Sequence, residues 1–204
     1  MNYNYVDIGT SNFDTSAIFA ITDPSIKVLL VEPLDFYLNS FKGNDNIKLC
    51  NCAISDTEGT SIIHYLPEEF INEYMPDKRW LRGCNSLDKE HPLVVSELQQ
   101  KNIDLKAIQK LEIKKITFDM LCDLYNIESI GKLTIDTEGH EHFILPAIIQ
   151  KIKNGMIVQS LFVEFHPDKN YLSNHPQMEK LFEQFSALNY TRTNHSMDVE
   201  LTLQ

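Results

Sequence analysis

Strand-like and helix-like stretches alternate along most of the chain. Apolar residues form short runs typical of strands covered on both faces, and the predicted strands are Tyr3–Ile8, Ser25–Pro33, Ile47–Ala53, Thr60–Tyr65, Glu112–Thr117, Gly131–Asp136 and Gln159–Phe165. Apolar residues at helical spacing and local end signals predict helices at Thr15–Ile21, Asp35–Phe41, Leu93–Lys110, Phe118–Tyr125, His142–Lys153 and Pro176–Leu188. The segment from Tyr190 onward is expected to form a strand or hairpin. This alternation predicts an α/β, Rossmann-like fold with a doubly wound, mostly parallel sheet.

The alternation of strands and helices breaks between residues 66 and 111. This stretch comes after the third predicted strand, Ile47–Ala53, and the strand Thr60–Tyr65 that follows it. This stretch is polar and irregular, contains Pro67, Pro76 and Pro92, and includes the sequence KRWLRGCNSL. A segment this long within a compact domain is more often functional than filler. We therefore expect one domain covering residues 1–204, with residues 66–111 as an insertion.

Acidic residues recur where the predicted strands end. Right-handed crossovers place the carboxyl ends of parallel strands on one edge of the sheet, where ligands of such folds bind. The five ends are Asp7-Ile8-Gly9, Glu32-Pro33, Ala53-Ile54-Ser55, Asp136-Thr137-Glu138 and Glu164-Phe165-His166. Four of them carry a carboxylate, so the sequence predicts an acidic site at this edge.

The overall charge narrows the choice of partner. The chain has 29 acidic and 18 basic residues and a formal net charge of −11. Nucleic acid is therefore not expected as the main partner, because a phosphate backbone needs a basic surface. A run of about 18 apolar residues is also missing, so no membrane span is predicted.

The four cysteines are Cys50, Cys52, Cys84 and Cys122. They form no C-x-x-C pair, and Cys50 and Cys52 are expected on one face of a strand. Reduced core thiols, and with them a reducing, cytoplasmic location, are the default expectation.

The loop after the first strand favours one adenosine cofactor over another. Gly9 allows a tight turn, and Glu32 at the end of the second strand can accept hydrogen bonds from ribose hydroxyls. A dinucleotide would need G-x-G-x-x-G around its pyrophosphate, whereas the stretch here is GTSNFD, with a single glycine. An acidic loop instead suits S-adenosylmethionine, which carries a sulfonium and an ammonium and no phosphate.

Several segments in order resemble the FkbM family of S-adenosylmethionine-dependent methyltransferases over nearly the whole chain. They are YVDIGTSNFDTS, VLLVEP, NCAISDTEG, ITFDML, KLTIDTEGHEHFIL and LFVEFHP. The most specific is the fourth-strand motif I-D-x-E-G-x-E, at Ile135–Glu141. The resemblance implies a class I methyltransferase fold and methyl transfer to oxygen, commonly to a hydroxyl of a sugar or natural product.

Three positions depart from the family pattern. Asn12-Phe13 stand where a second glycine is usual, Thr134 where lysine is usual, and Phe118-Asp119 where Leu-Asp is usual. The first departure concerns the geometry of the cofactor loop, and the second removes a cation from the site.

The resemblance implies roles for the residues at the sheet edge. Asp7, Gly9, Thr10 and Ser11 would surround the methionine part of the cofactor. Glu32 and Pro33 would meet the ribose, and Ala53, Ile54 and Ser55 would border the adenine. Asp136 would lie beside the methyl group, and the candidates for the base that accepts the hydroxyl proton are Asp136, Glu138, Glu164 and His166.

A divalent metal is a further alternative that the sequence does not require. Asp136 and Glu164 should end neighbouring strands, and Glu138 or His166 could complete a set of ligands for Mg²⁺ or Ca²⁺. No contiguous ligand motif supports this, so no metal residue is assigned.

The insertion is expected to recognise the acceptor, a sugar or glycan. Trp80 can stack on a sugar face, and Arg82, Asn85 and Ser86 can bond hydroxyls. The chain could also be one domain of a longer glycan-assembly polypeptide. Two alternatives stay open: a nucleotide-cofactor oxidoreductase, and a degenerate methyltransferase-like domain that only binds a partner.

Overall fold

A computed structural model describes residues 2–11, 15–87, 89–165, 175–196 and 198–204. The strands are β1 (Tyr3–Ile8), β2 (Val28–Val31), β3 (Ile47–Cys50), β4 (Ala53–Ser55), β5 (Gly59–Tyr65), β6 (Ser86–Leu87), β7 (Gln109–Thr117), β8 (Ser129–Ile135), β9 (Ile157–Glu164), β10 (Tyr190–Asn194) and β11 (Asp198–Leu203). The helices are α1 (Ala17–Thr22), α2 (Asp35–Leu38), α3 (Glu68–Tyr74), α4 (Pro92–Gln100), α5 (Phe118–Tyr125), α6 (Glu141–Lys153) and α7 (His175–Ser186). None of the helices in these ranges is long and apolar enough to cross a membrane.

The chain forms two compact units. The sheet unit comprises Met1–Gly59 and Lys114–Gln204, and the insertion unit comprises Thr60–Ile113. The insertion unit contains the whole of the predicted insertion 66–111 and a few residues on either side of it.

A seven-stranded sheet in the order β10-β11-β9-β8-β1-β2-β3 forms the centre of the sheet unit. Strands β9, β8, β1, β2 and β3 are parallel, whereas β11 runs antiparallel to both of its neighbours. The predicted α/β, Rossmann-like fold with a mostly parallel sheet is therefore confirmed, and the closing segment is the hairpin that the sequence allowed.

The core of the sheet unit explains why the strands read as apolar runs. All four residues of β2 are buried. A large cluster packs sheet residues such as Val6 and Leu133 against Phe118 of α5, Ile144 of α6 and Phe182 of α7. A smaller cluster packs Ala17 and Ala20 of α1 against β2, β3 and the end of α2. Burial of apolar surface in these two clusters holds the helices on the sheet.

The predicted third strand, Ile47–Ala53, is two strands. β3 ends at Cys50, and β4 pairs in parallel with the end of β7 through Ala53↔Lys115. The break is a tight turn at Asn51, in which the Cys52 N–H donates to the Cys50 carbonyl at 3.1 Å. Ala53-Ile54-Ser55 is therefore not the carboxyl end of a strand of the seven-stranded sheet.

The insertion unit has regular structure and a core of its own, where an irregular segment was expected. Its core comprises Leu66, Ile71, Met75, Leu81, Cys84, Val94, Leu98 and Ile108. The predicted helix Leu93–Lys110 ends ten residues early, at Gln100. Asn102 adopts a left-handed φ of 53°, which asparagine tolerates better than most residues, and the chain then continues into β7.

Candidate active site at the carboxyl edge of the sheet

The strand ends form a single row of acidic residues. Ile8 lies opposite both Val31 and Ile135, and Ile135 lies opposite Val163. The next residue of each strand therefore belongs to the same row, which contains Glu32, Gly9, Asp136 and Glu164. Asp198 of β11 pairs directly with Glu164 and extends the row by one strand.

A cavity of about 460 Å³ opens beside this row, within the size range of small-molecule sites. Its walls come from β1, the loop after β1, the start of α1, β8, β9 and β11. The lining residues are Asp7, Ile8, Gly9, Thr10, Thr15, Ser16, Ile18, Phe19, Lys132, Thr134, Ile135, Asp136, Phe162, Glu164 and Asp198. Within the described part of the chain, four carboxylates and one lysine line the cavity, so their field favours a cationic ligand.

Gly9 follows β1 at a close approach to Asp136, the residue that follows β8. Its φ is +79°, and a Cβ built on it would lie 1.7 Å from the carbonyl oxygen of Asp136. The approach that requires glycine is thus to the neighbouring strand end, and it places Asp136 against the loop.

Asp7 closes the loop that follows Gly9. Its carboxylate accepts hydrogen bonds from the Ser16 N–H at 2.7 Å, from the Thr15 hydroxyl at 3.0 Å and from the Ser16 hydroxyl at 3.1 Å. Burial raises the pKa of Asp7, and these donors together with the Thr134 hydroxyl oppose that rise. These hydrogen bonds therefore hold the loop after β1 and the start of α1 in place.

Thr10 offers the cavity an uncommitted polar group. The residue is 3% exposed, and its hydroxyl has no hydrogen-bond partner among the described residues. Because a buried hydroxyl without a partner is unfavourable, a ligand that bonds it would be stabilised there.

Glu32 is committed to the backbone around it. One carboxylate oxygen accepts from the Ser11 N–H at 3.0 Å, and the other from the Leu34 N–H at 2.9 Å. Burial raises the pKa of Glu32 to about 7 against these two bonds. Glu32 therefore ties the first loop to the second, and each oxygen keeps a lone pair for a ligand hydroxyl.

Asp136 and Glu164 form a carboxyl pair. Asp136 lines the cavity and is exposed there, although the neighbouring protein still desolvates its carboxyl group. Burial and then the negative charge of Glu164 raise the pKa of Asp136 well above its usual range. Burial and then the charge of Glu138 raise the pKa of Glu164 to about 9, while a hydrogen bond from Asp136 opposes the rise. The pair therefore holds a shared proton at neutral pH.

Glu138 completes a cluster of three acids. Oxygens of Asp136, Glu138 and Glu164 all lie within 4.8 Å of one another. Glu138 has a left-handed φ of 55° and is followed by Gly139 at 100°, so the loop turns back toward the strand ends. Such a set of oxygens can share protons or hold a hard divalent cation.

Because of the raised pKa of Glu164, we expect the free energy of unfolding to fall as the pH rises. The folded protein retains a proton on Glu164 that the unfolded chain releases near the ordinary glutamate pKa of 4.5, so the unfolded state binds fewer protons between about pH 4.5 and 9. The free energy of unfolding from guanidinium titrations should fall over that interval, and Glu164→Gln should reduce the fall. The exposed Glu58 provides the control Glu58→Gln, which should leave the slope unchanged. An equal slope in wild type and Glu164→Gln would contradict the pairing.

Ala53, Ile54 and Ser55 are all buried in β4 and do not line the cavity. The Ser55 hydroxyl contacts Nε2 of His140 at 3.0 Å, which links β4 to the loop before α6. The contact of Ser55 with His140 therefore helps to position the loop Asp136–Glu141. The expected contact of Ala53, Ile54 and Ser55 with the adenine of the cofactor stays a prediction.

Glu141 is an organising residue whose role the sequence did not reveal. It is 1% exposed, and its Oε1 accepts from the Thr137 N–H and hydroxyl at 2.8 Å and from the Gly139 N–H at 3.2 Å. Burial raises the pKa of this carboxyl as well. The sequence feature that could have identified Glu141 is its place as the last acid of the I-D-x-E-G-x-E motif, because this carboxylate accepts the hydrogen bonds that hold the loop.

Lys132, Phe162 and Asp198 line the cavity without having been predicted there. Lys132 and Thr134 precede Asp136 on the same face of β8, as the two-residue period of a strand requires. The Lys132 ammonium lies 4.8 Å from the centre of the Phe162 ring. The cavity therefore includes a lysine, Lys132, which lies two residues before Thr134, the position where the family usually has a lysine.

The four predicted acceptor residues lie in the insertion unit. Trp80 is 44% exposed, whereas Ser86 is buried in β6. The Arg82 guanidinium lies 3.6 Å from the Glu68 carboxylate, and the Asn85 side chain donates to the Arg82 carbonyl. Trp80 is thus the member of this group that presents the most surface.

Two sets of predicted residues lie outside the described ranges. They are His166, a candidate base, and Asn12-Phe13, the departure in the first loop.

Comparisons with known proteins agree with this architecture. A crystal structure of the methyltransferase FkbM from Methylobacillus flagellatus KT aligns with a TM-score of 0.52 at 13% sequence identity. The alignment covers 99% of this chain and 43% of that one, so the present chain spans less than half of that protein, and the likeness shows the fold. A search of curated proteins gives no significant match. The sequence matches the family described as "Methyltransferase FkbM domain" over residues 7–191. The protein therefore belongs to the FkbM methyltransferase family.

Proposed function

We propose that the protein transfers a methyl group from S-adenosylmethionine to a hydroxyl oxygen, with a sugar of a glycan or glycosylated metabolite as the acceptor. The observation that carries this proposal is the Asp136–Glu164 carboxyl pair, which faces a cavity beside the Gly9 turn in a chain of a methyltransferase family.

The charge of the cavity supports a sulfonium cofactor over a nucleotide with a pyrophosphate. Among the residues that the structure describes, Asp7, Asp136, Glu164 and Asp198 line it together with one cation, Lys132. A pyrophosphate at this row would meet like charge, whereas a sulfonium and an ammonium would be attracted. The oxidoreductase alternative is disfavoured for this reason.

The loops after β1 and β2 are fixed by Glu32 before any ligand binds. The carboxylate fixes the Ser11 and Leu34 amides, and Thr10, which lines the cavity, has a buried hydroxyl without a hydrogen-bond partner among the described residues. Such preorganisation lowers the entropy lost when a ligand orders its site.

The carboxyl pair can accept the proton that the reaction releases. S-adenosylmethionine supplies an electrophilic methyl carbon and leaves as a neutral thioether. The acceptor hydroxyl is a weak nucleophile, and a carboxylate within hydrogen-bond reach of it removes its proton as the new oxygen–carbon bond forms. Asp136 is the proposed base: after it accepts the hydroxyl proton the Asp136–Glu164 pair carries two protons, and release of one to solvent returns the pair to one shared proton.

The cofactor can be tested by calorimetric titration with S-adenosylhomocysteine. Wild type should bind with micromolar Kd, and Glu32→Ala should lose at least tenfold in affinity because two loop amides lose their acceptor. Glu58→Ala removes an exposed carboxylate and should bind as wild type does. Tight binding of NADH in place of S-adenosylhomocysteine would overturn the proposal. Binding without methyl transfer to any acceptor would favour the degenerate binding domain.

The acceptor assignment rests on Trp80. Trp80→Ala should raise the acceptor KM by about tenfold, equivalent to about 1.4 kcal/mol, and leave the Kd of S-adenosylhomocysteine unchanged. Tyr74→Ala is the control, since Tyr74 is another exposed aromatic residue of the same unit, at 52% exposure.

The sole tryptophan also gives a direct reporter. Titration of the wild type with a panel of free hexoses and methyl glycosides should change its fluorescence only where the sugar stacks on it. An unchanged KM in Trp80→Ala would remove the sugar platform from the proposal.

A further inference from the structure

The turn between β3 and β4 brings two cysteines together. Cys50 is the last residue of β3, and the Cys52 N–H donates to its carbonyl across the turn at Asn51. This three-residue turn directs both side chains to the same side, and their sulfur atoms lie 3.2 Å apart. Cys50 is 7% exposed and Cys52 is 3% exposed, so both belong to the core cluster of the sheet unit.

The surroundings favour a thiolate on one sulfur and a thiol on the other. The hydrogen bond with the Cys52 thiol lowers the pKa of Cys50 and burial opposes it, while the Tyr125 hydroxyl and the charge of Lys114 lower it further by smaller amounts. The same hydrogen bond and burial raise the pKa of Cys52. Since the thiolate is the nucleophile in thiol–disulfide chemistry, these shifts favour Cys50 over Cys52 as the attacking sulfur.

We propose that Cys50 and Cys52 form a reversible dithiol–disulfide site whose oxidant is a small disulfide or a hydroperoxide. The Cys50 thiolate attacks one sulfur of the small disulfide and expels a thiolate, which leaves a mixed disulfide on Cys50. The Cys52 sulfur gives up its proton and attacks the Cys50 sulfur of that mixed disulfide, expelling the second small thiol. Two protein thiols are thereby oxidised and one small disulfide is reduced to two thiols. With a hydroperoxide, the Cys50 thiolate attacks the O–O bond, takes one oxygen as a sulfenic acid and releases an alcohol or water. The Cys52 sulfur then attacks the Cys50 sulfur and expels the sulfenic oxygen as water.

Access to the buried pair is provided by its position in the sheet. β3 is an edge strand that pairs with β2 alone in the seven-stranded sheet, and Asn51 is exposed. Local opening of an edge turn needs far less free energy than global unfolding, so a small oxidant can reach the sulfurs from the native state.

The turn is joined directly to Glu32. The Glu32 N–H donates to the Cys50 carbonyl at 3.1 Å, and the Asn51 side chain donates to the carbonyls of Glu32 and Pro33, both at 3.0 Å. A covalent bond between the sulfurs is shorter than their present contact, so closure pulls on the backbone that holds Glu32. Oxidation should therefore weaken S-adenosylhomocysteine binding by roughly tenfold; this consequence rests on the proposed function.

The site can be tested on the folded wild-type protein by treatment with oxidised glutathione or hydrogen peroxide, followed by alkylation and peptide mass spectrometry. The peptide with Cys50 and Cys52 should lose two hydrogen atoms and resist alkylation until dithiothreitol is added. Cys84 and Cys122 are also buried and serve as internal controls that should remain thiols. Cys52→Ser should stop at a glutathione adduct on Cys50. Failure of the pair to close in the native protein, or linkage to another cysteine, would overturn the dithiol site.

Calorimetry on the same samples separates this inference from the proposed cofactor. Weaker binding of S-adenosylhomocysteine to the oxidised protein, restored by dithiothreitol, supports the coupling to Glu32. Equal affinity of the oxidised and reduced forms overturns the coupling. Failure of the reduced protein to bind S-adenosylhomocysteine counts against the proposed function and leaves the mass measurement to decide the dithiol site.

Discussion

Asp136→Asn should lower kcat by about 10²- to 10⁴-fold, the range that general-base catalysis contributes. The amide has the shape of the carboxylate but cannot accept a proton from the acceptor. Because Asp136 and Glu164 share one proton and therefore one negative charge, the variant leaves that charge on Glu164, so S-adenosylhomocysteine should still bind. The measurement is single-turnover methyl transfer from labelled S-adenosylmethionine, with calorimetry on the same variant. A kcat within threefold of wild type would exclude Asp136 as the base.

The pH profile distinguishes a base from a residue that merely shapes the site. In wild type, kcat should rise with pH toward the upper titration of the pair, since Glu164 carries a pKa of about 9. Glu164→Gln removes the neighbouring charge, so the pKa of Asp136 should fall and the rising limb should move to lower pH. If the rise of kcat with pH occurs at the same pH in Glu164→Gln as in wild type, the ionisation that limits kcat belongs to a group other than Asp136.

A metal at the same three acids would give a different pattern. If a cation bridges Asp136, Glu138 and Glu164, EDTA should abolish turnover and Mg²⁺ should restore it. Glu138→Gln would then lose activity as Asp136→Asn does, whereas in the proton-sharing arrangement it should have a much smaller effect. Full activity in EDTA would leave the carboxyl pair as the base.

The acidic row could be predicted because it depends on strand ends alone. Val28–Val31 and Gly131–Ile135 are apolar enough to identify parallel strands, and each is followed by an acid. Parallel pairing then fixes which ends meet, and the register brings Glu32, Asp136 and Glu164 into one row with Gly9.

The remaining features depend on contacts that the local sequence does not encode. The break between Cys50 and Ala53 is a backbone turn inside an apolar run, and periodicity treats that run as one strand. Glu141 is distinguished from other helix-start acids only by the three donors that surround it. The insertion unit appeared irregular because its apolar residues are widely spaced and meet only when α3 and α4 pack.

Gly9 should be the least replaceable residue of the first loop. In Gly9→Ala the new Cβ would lie 1.7 Å from the Asp136 carbonyl oxygen, far inside any real contact, at a φ of +79°. Neither strand can yield, since the Gly9 N–H donates to the Val31 carbonyl at 2.9 Å and the Asp136 N–H to the Ile8 carbonyl at 3.0 Å. Separating the strands would break these bonds and displace the proposed base. We expect the free energy of unfolding to fall by more than about 4 kcal/mol, in the tail of single-substitution effects.

Gly43→Ala is the matched control, because it isolates backbone strain from the clash. Gly43 has a similar φ of +88°, but a Cβ there would meet nothing within 4 Å. That substitution should cost about 1 to 2 kcal/mol, the strain of a left-handed alanine. Guanidinium titrations of both variants measure the difference directly. If the two losses are equal, strain alone explains Gly9, and the close approach of β1 to β8 does not determine the position of Asp136. A loss at Gly9 several times larger shows that this strand contact itself holds the acidic row together.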